Sequence, residues 1–237
     1  MGAFLTQNTA WTNVEKATAE LRGARVLSLA GIRNTPTAEL ERLIRSAGYF
    51  RQKAQRLKNF VAHLDRRYGG SLDRMFARPT AELREELLAL NGIGPETADS
   101  ILLYAGNHPV FVVDAYTRRI LDRHRILPLN APYEDVRRLF EEALGAADFV
   151  SECETKVPCS AGAKPEGSCH PPTRMSTAQR TATAQMFNDM HGLIVGVGKN
   201  FCLKTQVRCE QCPLRELLPA RGPRLKSTEA RRRVRSG

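Results

Sequence analysis

A chain of 237 residues with 42% hydrophobic residues can bury one sizeable core or two smaller ones. No apolar stretch approaches the ~20 residues that cross a bilayer, and Met1 is not followed by the charged-then-apolar pattern of a secretory leader. The expected setting is therefore cytoplasmic, with no membrane partner. The formal net charge of +11 points to a polyanion, nucleic acid first.

In chain order, the string Pro-Thr-Ala-Glu-Leu occurs at 36–40 and again at 79–83. Each copy reads as a helix start, with Pro or Thr at the entry and a Glu in the first turn, where the positive end of the helix dipole favours a carboxylate. Ala54, Leu57, Val61, Leu64 and Tyr68 step by three and four, as do Leu83, Leu87 and Leu90. Phe187, Met190, Ile194, Val197 and Phe201 repeat the pattern late in the chain. These are helical faces. The single β-branched run, Pro109–Val113, is short, so the fold class is all-α.

The strongest local signal lies at Asn91-Gly92-Ile93-Gly94-Pro95-Glu96-Thr97-Ala98. A helix with an apolar face ends near Asn91. The two glycines are expected to adopt angles closed to other residues, and Ile93 between them to plug into the core. A second helix starts at once, with Pro95 in its first turn. This arrangement aims unpaired backbone N–H groups outward, which suits capture of a DNA phosphate without reading sequence.

Twenty residues beyond Gly94, Asp114 follows four apolar residues. Burying a carboxylate there is costly unless it caps a helix or performs chemistry. As an N-cap it would accept from the backbone of Tyr116 or Thr117.

Residues 151–182 lose the apolar periodicity in favour of Ser, Thr, Pro, Gly and scattered Cys, and read as an exposed, disordered insertion. The six cysteines stand at 153, 159, 169, 202, 209 and 212, and in a cytosolic chain metal ligation is expected ahead of disulfides. From Arg221 onward there are seven Lys/Arg and one acid, Glu229, so 219–237 reads as a basic disordered tail, an auxiliary phosphate contact.

The hairpin with its flanking helices, followed at this spacing by Asp114, resembles the helix–hairpin–helix DNA glycosylases of the endonuclease III superfamily. The resemblance covers roughly residues 1–150 and 185–218. It implies a two-lobed all-α fold: a first lobe over 1–113, a second over 114–218 interrupted by the insertion, and an active site in the cleft between them. It also implies a monomer that binds double-stranded DNA containing a damaged base. Asp114 would then stabilise an oxocarbenium-like sugar and orient or deprotonate the attacking water, after the base has been flipped out of the stack. Gly92, Ile93, Gly94 and Thr97 would grip the backbone, and Gln7 in Leu5-Thr6-Gln7-Asn8-Thr9 would fill the gap left by the base. Lys53, in Gly48-Tyr49-Phe50-Arg51-Gln52-Lys53-Ala54, would sit beside the DNA.

Three departures from the family pattern carry expectations of their own. Bifunctional members place a Schiff-base Lys where this chain has Glu96, and no Lys occurs between Lys58 and Lys156. A carboxylate forms no imine, so a monofunctional glycosylase without lyase activity is expected, and Glu96 with Thr-Ala-Asp after it resembles the 3-methyladenine branch. Substrate candidates are thus alkylated purines or oxidised pyrimidines.

Second, Cys202-x6-Cys209-x2-Cys212 matches three ligands of the family's [4Fe-4S] loop, but Leu218 stands where the fourth Cys belongs. Cys153, Cys159, Cys169 or His170 could supply the fourth ligand; zinc or no metal are the alternatives. A bound cluster would hold the basic loop of Lys199, Lys204 and Arg208 against phosphates. Third, only six residues precede Gln7, so the family's N-terminal helix is expected to be missing. The rival reading from another class is a non-catalytic helix–hairpin–helix DNA-binding protein; within the family, the rival is a glycosylase with lyase activity.

Overall fold

The computed structural model describes residues 1–145, 181–205 and 207–225. The expected insertion at 151–182, apart from its last two residues, and the tail from residue 226 lie outside them, as do Cys153, Cys159, Cys169 and His170.

Helices account for the described regular structure. They are α1 (Gly2–Leu5), α2 (Trp11–Gly23), α3 (Leu29–Asn34), α4 (Thr37–Leu43), α5 (Phe50–Tyr68), α6 (Leu72–Phe76), α7 (Thr80–Leu88), α8 (Pro95–Gly106), α9 (Ala115–Arg123), α10 (Tyr133–Gly145) and α11 (Ala182–Asn200). Among the described residues the only β pairing is an isolated bridge between Cys202 and Val207. The β-branched run Pro109–Val113 is non-helical chain whose Val110–Val113 side chains are buried. No described helix is long and apolar enough to cross a membrane.

Both copies of the repeated string do what their chemistry dictates. Pro36 and Pro79 sit at the N-caps of α4 and α7, with Glu39 and Glu82 in the first turns. The stripe Ala54, Leu57, Val61, Leu64, Tyr68 is the buried face of α5.

Two apolar cores make the molecule two-lobed. One gathers residues from Phe4 and Leu5 through α2–α7 to Ile93, Ala98, Ile101, Leu102 and Val110. The other gathers Leu103, Phe111–Val113, α9, α10, α11 and Cys202. Helix α8 serves both, since Leu102 and Leu103 point into different cores. The second core is locked where Tyr116 lies over Gly198. A Cβ at residue 198 would come within 2.3 Å of the Tyr116 ring, so only glycine lets α9 and α11 approach this closely.

One of the α5 cations is not on the surface. Lys53 is fully buried, and its Nζ donates to Leu5 O (2.9 Å) and Ala47 O (2.7 Å). The expected DNA contact by Lys53 is at odds with this burial: the amine ties the end of α1 to the 3-10 turn Arg45–Ala47. Burial, then the neighbouring Arg56, pulls its pKa below the ordinary lysine value. Lys53→Met would leave two buried carbonyls without this donor, which costs about 2 kcal/mol. The expected result is a lower denaturation midpoint in urea, with DNA affinity of the folded variant unchanged.

Candidate active site

The hairpin is built around one demanding backbone position. Gly92 has φ +84°, and a Cβ there would collide with the Arg56 side chain at 2.2–2.8 Å. Gly94 differs from expectation. Its φ of −92° is open to any residue, and a Cβ at Gly94 would meet nothing within 4 Å. Its value is an uncluttered approach to the start of α8. Ile93 is buried, as its position between the glycines requires.

Gly94 is the N-cap of α8 and contributes no side-chain cap, so the amides of Glu96 and Thr97 in the first turn are left uncapped by any side chain. Gln7 is drawn into the hairpin. Its Nε2 donates to Gly92 O (3.1 Å) and to Thr97 Oγ1 (2.9 Å), while Arg56 donates to its Oε1. Helix α1 rests on both α5 and α8, which brings Gln7 here. Thr97 is buried and uses its hydroxyl inward. Gln7, Gly92, Ile93, Gly94 and Thr97 thus gather at one hairpin, with Ile93 and Thr97 buried beneath it, whereas Lys53 is held by Leu5 O and Ala47 O.

Asp114 caps α9. Its Oδ1 accepts from the Thr117 amide (2.8 Å) and hydroxyl (3.0 Å). Its other oxygen, Oδ2, faces His191 Nε2 at 3.7 Å. Burial raises the pKa of this carboxyl, but the His191 and Thr117 interactions outweigh burial and hold it below the ordinary aspartate value. Asp114 is therefore an anion at neutral pH, poised with one oxygen fixed and one turned toward a neighbour.

Glu96 behaves oppositely. Its side chain reaches solvent from the first turn of α8, yet the surrounding protein and then the Asp114 charge push its pKa up, against weaker opposition from His191 and Arg118. Two carboxyls with divergent proton affinities share one neighbourhood, a recurrent sign of assigned acid–base roles.

Three groups of this site escape notice in the sequence. His191 on α11 is buried, and Tyr104 on α8 hydrogen-bonds its Nδ1. Tyr133 at the start of α10 accepts from the Val113 amide through its hydroxyl (3.2 Å), and the nearby Asp99 charge helps push its pKa up. The third, Asp99 on α8, is fully buried and paired with Arg84. His191 could have been found: Phe187, His191 and Ile194 occupy one apolar stripe, on which a histidine is out of place.

The three cysteines line one small cavity of about 20 Å³ together with Leu218, Arg123 and His124. It shares no residue with the Asp114 cluster. Cys202 is buried, and its Sγ accepts from Arg123 (3.1 Å), while Arg119 donates to Cys202 O (2.6 Å). A four-thiolate cluster does not fit the described donor set: Leu218 fills the fourth position, and no three His, Cys, Asp or Glu side chains converge at metal-binding spacing among the described residues.

Comparison with known proteins places these features. The family model described as HhH-GPD superfamily base excision DNA repair protein matches residues 1–146. A protein of Methanocaldococcus jannaschii, whose name provisionally assigns it to the DNA repair glycosylases, is 35% identical over 91% of this chain and 82% of its own length. Endonuclease III-like protein 1 of Bos taurus is 27% identical over 83% of this chain, which spans about half that relative's length. Among solved structures, the 3-methyladenine DNA glycosylase of H. pylori bound to 1,N6-ethenoadenine superposes with a TM-score of 0.64. It is 27% identical, covering 84% of this chain and 82% of that one.

Proposed function

Since the chain belongs to the HhH-GPD superfamily of base excision DNA repair proteins, matching its model over residues 1–146, we propose that it is a monofunctional DNA glycosylase. It would hydrolyse the N-glycosidic bond of a damaged base in duplex DNA, with Asp114 as the catalytic carboxylate. The observation that carries this reading is the placing of Asp114, fixed through Oδ1 at the start of α9, beside Glu96 at the head of α8, with the two carboxyls shifted in opposite directions.

The uncapped amides at the start of α8 bind a phosphate beside the lesion. Gln7, already docked on Gly92 and Thr97, occupies the edge of the duplex next to it. With the nucleotide extruded, Asp114 Oδ2 stabilises positive charge on the sugar as the base departs and orients the attacking water. Glu96 supplies no amine, and the buried amine of Lys53 is engaged with carbonyls in the first core, so the reaction ends at an abasic site.

Alkylated purines are the favoured substrate class. They leave as neutral bases from a cationic nucleotide and need little acid assistance, and they suit a pocket bearing two carboxyls. Oxidised pyrimidines are the second class to assay. The test is purified protein on duplexes carrying 3-methyladenine, 1,N6-ethenoadenine or thymine glycol. The expected result is alkali-labile sites without direct nicks; a borohydride-trapped covalent adduct would overturn the monofunctional assignment. The cysteine loop, with three candidate ligands and one short of four among the described residues, is a structural element at most, and iron and zinc analysis of the same preparation decides whether it carries [4Fe-4S], zinc or neither.

A further inference from the structure

His191 comes from α11, far in sequence from every element of the hairpin, yet its imidazole lies between Tyr104 of α8 and the N-cap of α9. Its Nδ1 is engaged by the Tyr104 hydroxyl. Its Nε2 is buried, makes no hydrogen bond among the described residues, and points at Asp114 Oδ2 across 3.7 Å. The Phe111 ring meets the imidazole edge-on and limits its rotation. A buried ring nitrogen without a hydrogen bond is costly, and one aimed at a carboxylate oxygen asks for a role.

We propose that His191 is a positioning residue for the base-release reaction, presenting Nε2–H to Asp114 Oδ2 and thereby fixing the carboxylate's orientation and keeping it ionised. The proposal rests on the glycosylase reading above and names a second residue in that site.

The tautomer follows from the partners. A carboxylate only accepts, so the nitrogen facing it carries the proton. In the neutral ring Nδ1 then accepts from the Tyr104 hydroxyl. A closure of under about 1 Å converts the 3.7 Å approach into a hydrogen bond, and substrate seated against Asp114 supplies the occasion for it. Thr117 holds Oδ1 and His191 holds Oδ2, so the carboxylate plane is fixed from two helices.

Other charged groups near this pair do not substitute for it. On α8, Glu96 opposes ionisation of nearby carboxyls. On α9, Arg118 donates to Ala131 O (2.5 Å) and lies over the Tyr133 ring. On α10, Glu134, Arg137 and Glu141 bond among themselves, to Arg84 and to the Phe111 amide. On α11 itself, Asp189 pairs with Gln185 and Asn188.

The decisive measurement needs no turnover. The carboxyl carbon of Asp114 is titrated by NMR in the wild-type chain, in His191→Gln and in Tyr104→Phe. Losing the His191 contact is expected to move the Asp114 midpoint up by about one pH unit, with a smaller upward move for Tyr104→Phe, which frees the ring without removing it. Single-turnover base release by His191→Gln is expected to fall about tenfold at neutral pH. The acid limb of its pH profile should move upward by the same amount as the titration, while affinity for the lesion duplex is retained. An unmoved Asp114 titration in folded His191→Gln overturns the proposal; should that variant not fold, an unmoved titration in Tyr104→Phe does so. Absence of base release by the wild-type chain on every duplex overturns the glycosylase reading instead, and the titration still decides whether His191 governs Asp114.

Discussion

Asp114→Asn is expected to reduce base release by about 10²- to 10⁴-fold, the range spanned by a positioned acid–base group, while leaving affinity for the lesion duplex within a few-fold of wild type. The substitution is close to a pure removal of charge. Asn is as good an N-cap as Asp, and its amide oxygen can still accept from the Thr117 amide and hydroxyl that now bond Oδ1. The start of α9 therefore keeps its cap. What disappears is the negative charge at Oδ2, where positive charge develops on the sugar.

The pH dependence follows from the same contacts. Because the folded-state pKa of Asp114 lies below the ordinary aspartate value, the anion persists through the neutral range and is lost only as pH falls through that depressed value. An acid limb at higher pH would have to come from Glu96, whose pKa is raised. Single-turnover kinetics of wild type, Asp114→Asn and Glu96→Gln across pH separate the two carboxyls. A non-catalytic DNA-binding protein predicts instead no base release from the wild type and no effect of Asp114→Asn on any measurable activity.

How much of this was legible beforehand depends on whether a residue's role is local. Gly92 announces itself because a turn between two helices at that point demands φ +84°, and Ile93 because an apolar residue between glycines must go inward. Asp114 reads correctly as an N-cap, since capping needs only the next three residues. Non-local roles were hidden. Lys53 looks like a cationic helix start; its burial comes from the carbonyls of Leu5 and Ala47, which the chain folds back to meet it. The clue was its register, four residues before Leu57 on the core stripe. Gly94 was over-read, because a Gly-x-Gly pattern does not say which glycine bears the unusual angle. The meeting of His191 with Asp114 joins residues 77 positions apart through packing of α9 on α11, and no periodicity specifies a partner at that range.

The second large effect concerns what holds Asp114 in place. Asp99 is fully buried on α8, with Oδ1 2.6 Å from Arg84 Nε of α7, and Arg84 also reaches Glu134 of α10 at 2.6 Å. The Tyr133 hydroxyl lies close enough to Asp99 to be coupled to its charge, and it accepts from the Val113 amide, directly before Asp114. One buried charge thus pins α7 and α8 to α10, across the boundary between the two cores.

Asp99→Ala is expected to cost about 1–3 kcal/mol, because it leaves the largely buried Arg84 guanidinium with Glu134 as its remaining carboxylate partner. The pair itself is no great source of stability. Burial raises the pKa of Asp99 against the opposing pull of Arg84, whose charge is shared with the half-exposed Glu134. With the folded-state value above the model value of 3.8, Asp99 supports the fold fully below that value. The proton-linked part of that contribution is lost as pH rises through the raised folded value, which leaves the hydrogen bonds from Arg84 that the Ala variant removes. Replacing both partners with apolar residues, Arg84→Met with Asp99→Leu, should therefore recover most of the loss and flatten this part of the stability–pH curve. Urea denaturation of the two single variants and the double variant at several pH values measures the coupling. Equal losses in all three would mean that Asp99 is held by packing rather than by its charge. If the pin works as drawn, the rescued double variant still releases base more slowly than wild type, because the Tyr133 hydroxyl that accepts from the Val113 amide loses the neighbouring Asp99 carboxylate.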